Sequence, residues 1–141
     1  MSLPHDDYAA AVTNALTARW VGVEPDAWDD DTHMTATWRW DADLPQVDAD
    51  RFPDGVILLW TSRQGWQWGA LGDHGVIQGE PQHLPLHGYA SPDAVAHAAT
   101  WLLAGQPDRI PAGTERWEHA GTLHAALLDG EYEVPVDEHG A

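Results

Sequence analysis

Nine histidines are the first residues in this sequence that could hold a metal or move a proton. There is no cysteine, so a zinc site would need three or four convergent histidines and carboxylates. The spacings do not supply them. His83 and His87 lie four apart, but Pro85 between them breaks any shared helix face. His119 and His124 lie five apart, about 140° round a helix from each other. The simpler reading is a set of surface and loop histidines that add pH sensitivity. Nucleophilic catalysis fares no better, since the three serines are Ser2, Ser62 and Ser91. Ser91 precedes a proline and an acid and reads as a helix cap. Ser62 ends a strand just before a turn, which is not the strand–nucleophile–helix elbow of a hydrolase. The run Asp29-Asp30-Asp31, with Asp41, Asp43, Asp48 and Asp50 after it, has the oxygen chemistry for calcium or magnesium. It lacks the glycine-punctuated loop and closing glutamate of an EF-hand and reads as solvated acidic loops. The glycines space turns and do not form a phosphate cradle. No catalytic, cofactor-binding or metal-binding residue is assigned, and the chain is expected not to be an enzyme.

The tryptophans are the other unusual group, nine in all. Trp38, Trp40, Trp66 and Trp68 alternate along two segments and so share one sheet face, where packing under helices is their simplest role. An exposed aromatic patch for a partner is the functional alternative. Its candidate residues are Trp28 and Trp101 with Asp29, Asp30 and Asp31. Trp101 is the best single candidate, because it falls off the Val95–Ala98–Leu102 stripe of its own segment.

These groups need a scaffold, and the hydrophobic periods predict one. Asp6 to Trp20 is helical: Tyr8, Val12, Ala15 and Leu16 recur on one side, and Asp6 and Asp7 suit the helix start. Trp20 to Glu24 is expected as a short strand, with the acidic run after it as a loop. Met34 to Trp40 alternates strictly and predicts a half-buried strand. Val56 to Ser62 is apolar on both faces at first, the mark of a central strand. Arg63-Gln64-Gly65 turns it into a second strand from Trp66 to Leu71. Val76-Ile77 could start a short last strand, and Glu80 to Tyr89 is an extended loop. Ser91-Pro92-Asp93 opens a helix that Gly105 closes. Thr114 is expected to open a third helix ending at Gly130, and Tyr132 to Val134 could add an edge strand. The expected fold is α+β: an antiparallel meander of three to five strands, with an N-terminal helix and two C-terminal helices on one face. Residues 1–141 read as a single domain, ordered from about 6 to 130, with 131–141 as a polar, fraying tail.

Charge narrows the partners. Against 23 acidic residues stand six arginines and no lysine, a formal charge of −17. Such a surface repels phosphates, so direct nucleic-acid binding and anionic membranes are not expected. A high-GC genome accounts for the missing lysine as simply as function does. No leader-like or membrane-spanning segment is recognisable, and a cytoplasmic protein is expected.

Several motifs together look familiar: Tyr8-Ala-Ala-Ala-Val, Leu59-Trp60, Gly65-Trp66, Leu84-Pro85-Leu86, Ser91-Pro92-Asp-Ala-Val and Leu102-Leu103-Ala-Gly. Between Tyr8 and Gly105 the chain resembles a family of small actinobacterial domains of unknown function. That resemblance implies a single structural domain and transfers no activity. The expected function is a protein-interaction or regulatory module that meets a basic partner with its acidic surface. A nucleic-acid charge mimic, of the kind that inhibits a basic protein, is one alternative. A small-molecule binder with a Trp/His-lined pocket is another. No cofactor is expected.

Overall fold

The computed structural model describes residues 3–73 and 75–134. Helix α1 spans Asp6–Ala18. Tyr8, Ala9, Val12 and Leu16 form its buried stripe. The helix ends because Trp20 adopts a left-handed conformation, φ 64°. The backbone N–H groups of Trp20 and Val21 then turn back onto Thr17 and Leu16, which closes the helix where a glycine commonly sits. The strand expected at Trp20–Glu24 is therefore absent. The chain is still turning there, and pairing begins only at Asp26.

Strand β1 is Asp26–Asp29, β2 is Met34–Trp40, β3 is Val56–Thr61, β4 is Gly65–Ala70 and β5 is Gln82–His83. They form one antiparallel meander in chain order, which makes β3 the central strand, as its two apolar faces require. Gly65, φ 76°, supplies the left-handed residue of the β3–β4 turn. Val76-Ile77 makes only one bridge, Leu71 to Ile77. The final strand comes instead from Gln82 and His83, inside the stretch expected as loop.

Helix α2 runs Pro92–Leu103 and is capped by Ser91, whose Oγ accepts from the Ala94 amide. Helix α3 is Ala120–Asp129, shorter than the sequence predicts. Residues 113–117 do not open it, because they pair with the segment before α2. His87 donates to the Gly113 carbonyl, Ser91 to that of Glu115, and Trp117 to that of Tyr89. The buried stretch 88–91 must place its backbone groups somewhere, and this ribbon takes several of them.

The core lies between the inner sheet face and the helices. Register aligns Ala36, Trp60 and Trp66 in one row, and Trp38, Leu58 and Trp68 in the next. Trp38, Trp40, Trp60 and Trp66 are fully buried, and each indole N–H has an acceptor: Thr13, Val21, Gly88 and Tyr8 respectively. Trp68 is half-buried and meets Phe52 edge-on. Of the four tryptophans expected as core, Trp38, Trp40 and Trp66 are buried within it and Trp68 packs against it half-buried. The C-terminal stretch is not a strand, nor does it fray from residue 131. Tyr132 and Glu133 bond to Asp29 and Thr32, and Val134 is buried. The rest of the expected tail, 135–141, lies outside the described residues.

Candidate functional site

Because side chains alternate along a strand, the residues between the inward tryptophans form a second sheet face. Trp28, Thr35, Thr61 and Gly65 make one row across it. Asp26, Thr37, Leu59, Gln67 and His83 make the next, and Arg39, Ile57 and Gly69 a third. No helix residue lines the groove on this face, which encloses about 530 Å³. Trp28 stands at one end, 41% exposed. Ile77 closes the other, seated over Gly69, where a Cβ would lie 2.6 Å from its Cγ2. Arg39 reaches across the same end to the Gly75 carbonyl at 2.7 Å. Ile57 and Leu59 form the apolar floor between them.

The acidic run borders this face at the β1–β2 turn. Asp29 accepts from the Tyr132 hydroxyl at 2.6 Å and from the Asp31 amide at 2.8 Å. These two bonds hold its carboxyl below the ordinary aspartate range, with the Tyr132 bond the larger cause, and the same bond raises the Tyr132 phenol. Asp30 lies 3.2 Å from His33. Trp28 and Asp29–Asp31 are thus brought together. Trp101 is not with them. It sits half-buried on α2, packed against the core, with the Arg109 guanidinium 5.8 Å from its ring centroid. The carboxylates as a whole do not gather on one face: Asp41, Asp43, Asp48 and Asp50 lie beyond the opposite end of β2.

The histidines are dispersed. His5 is fully buried, stacks on Trp60, and has Nε2 2.8 Å from the Thr35 carbonyl. Burial holds it below the ordinary histidine pKa. His124 Nδ1 bonds the Tyr89 hydroxyl at 2.9 Å, His87 Nδ1 accepts from the Tyr89 amide, and His119 precedes α3. His83 sits on the exposed edge strand β5. Among the described residues, no three histidines, aspartates or glutamates gather as a metal would need. Ser62 is buried and its Oγ accepts from the Met34 amide, a structural role at a strand end. Nor is any described helix long and apolar enough to cross a membrane.

Sequence reasoning missed the apolar floor of Ile57, Leu59 and Ile77. The signal was present in β3, which is apolar on both faces while helices were expected on one face only. It also missed Trp20, which is 85% exposed at the end of α1. No protein-family model matches the sequence, and comparison with characterised proteins and with solved structures finds no significant match.

Proposed function

We propose that this protein is a non-enzymatic interaction module that docks a basic protein on its outer sheet face. The observation that carries this reading is Trp28. It stands exposed at the head of an apolar strip formed by the half-buried Leu59 and Ile77 and the buried Ile57, beside the Asp29–Asp31 turn. An exposed aromatic next to apolar ground is the usual anchor of an interface, and its truncation commonly weakens binding about tenfold or more. The surrounding carboxylates and the charge of −17 steer a cationic surface toward it. The tryptophans between sheet and helices pack against one another, as Trp38 and Trp66 do at 5.5 Å, so that layer is occupied by core. This favours the surface over an internal pocket.

The test immobilises the protein and its Trp28→Ala variant and exposes both to extract of the source cells at about 50 and about 300 mM salt. Retained proteins are identified by mass spectrometry. The expected result is a basic protein held by the wild type, released by salt and lost with Trp28→Ala. Retention that ignores both salt and Trp28 would refute the reading.

A further inference from the structure

The first strand of the sheet offers more than a side-chain surface. The bond from the Asp30 amide to the His33 carbonyl continues the register that pairs Asp26 with Thr37 and Trp28 with Thr35. In an antiparallel ladder the residues that bond a given neighbour alternate. Asp26, Trp28 and Asp30 therefore spend their backbone groups on β2, while Ala27 and Asp29 turn theirs to the open side of β1. No described strand pairs there.

Two grooves flank this open edge. The outer one is the groove below Trp28. The other, about 460 Å³, lies between β1 and α1, and Asp6, Ala10, Thr13, Glu24 and Ala27 are among the residues lining it. A strand laid against β1 would send alternate side chains into the two. The charges differ from a neutral edge in one direction. Asp6 and Glu24 line the inner groove, Asp26 the outer one, and Asp29, Asp30 and Asp31 follow at the turn. Arg39, the one basic residue among the described residues lining either groove, already binds the Gly75 carbonyl. A second copy of the chain would bring the same carboxylates to the edge, so self-pairing is opposed. The outer groove also contains an unsatisfied polar atom. Thr35 is 5% exposed, and its Oγ1 has no hydrogen-bond partner among the described residues.

We propose that β1 is a strand-addition site for an extended cationic segment of a partner protein. The segment pairs its backbone with Ala27 and Asp29. It sends basic side chains toward Asp6 and Glu24, and small hydroxyl or β-branched ones beside Trp28 and Thr35. This rests on the docking reading above and specifies its geometry.

The experiment titrates the isotope-labelled full chain with a short blocked peptide alternating arginine and threonine. A control peptide of the same sequence is N-methylated at alternate amides, prepared in both phases. The expected result is that the Ala27 and Asp29 amides shift and become protected from exchange. N-methylation in one phase should weaken binding by roughly tenfold, the loss expected when edge hydrogen bonds cannot form. Ala27→Pro should weaken it similarly, because it deletes an outward N–H and leaves the β2 pairing in place. Near-ultraviolet circular dichroism of the tryptophans shows that this variant is folded. If both methylated peptides and Ala27→Pro bind like their parents while Trp28→Ala still weakens binding, strand addition is overturned and side-chain docking stands. If the parent peptide does not bind at all, strand addition is again overturned, and docking is judged by the Trp28→Ala retention test alone.

Discussion

Replacing Tyr8 with phenylalanine removes one oxygen from the centre of the core. Tyr8 is 2% exposed, stacks on Trp117 at 4.8 Å, and meets Trp60 and Trp66 edge-on. Its hydroxyl donates to the Ala90 carbonyl and accepts from the Trp66 indole N–H at 3.1 Å. It therefore ties α1 both to β4 and to the residue just before the cap of α2. Burial pushes the phenol far above its ordinary pKa, so it stays a neutral donor at any working pH. Phenylalanine keeps the ring contacts but strands a donor and an acceptor, both in residues that are almost fully buried. An unsatisfied buried polar group costs about 1–3 kcal/mol. The indole N–H has no second way to bond, whereas a carbonyl has a second lone pair, so the total should be about 2–4 kcal/mol. With a urea slope of about 1–3 kcal/mol per molar, the unfolding midpoint falls by about 1–2 M. The melting temperature falls by roughly 6–15 °C. Urea titration followed by tryptophan fluorescence measures the first, and calorimetry the second. Tyr132→Phe is the control. It also loses a hydroxyl bond, to Asp29, but in solvent, where water replaces it, and its midpoint should match wild type. A Tyr8→Phe midpoint within about 0.3 M of wild type would refute the claim that this hydroxyl satisfies buried groups.

Two further outcomes follow from single residues. His5 is buried with Nδ1 unpartnered among the described residues, and its pKa is lowered chiefly by desolvation, against the raising effects of the Thr35 carbonyl, Asp6 and Asp29. The unfolded chain therefore takes up this proton first. The stabilising contribution is complete above about pH 6.5 and is lost as pH falls toward the lowered folded value. His5→Gln should flatten that part of the stability–pH curve, and parallel curves would contradict the assignment. Gly65→Ala should cost about 1–2 kcal/mol, because a non-glycine residue is strained at positive φ. The new Cβ would also lie 3.3 Å from Gly88 Cα. An unchanged urea midpoint would show that the turn relaxes to another conformation.

The sequence by itself determined the elements whose signals are local. The strict alternation from Met34 to Trp40 set both the strand and its inward face. Ser91-Pro92-Asp93 set the start of α2, since a cap needs only the next few residues. The −17 charge likewise needed no structure. Tertiary context decided the rest. The third helix began late because residues 113–117 had distant backbone partners in 86–91, which no local period can reveal. β1 and β5 are too short to carry a period and exist only through pairing with β2 and β4. Trp101 looked the better exposed aromatic from its place off the helix stripe, but it met the core and Arg109, while Trp28 stood exposed on the sheet face away from the helices. That side was half visible in the sequence. β3 showed two apolar faces, but only the placement of α1, α2 and α3 on one of them left the buried Ile57 and half-buried Leu59 to line the groove on the other. Burial and exposure depend on which distant segments arrive, and that is decided by packing rather than by neighbours in the chain.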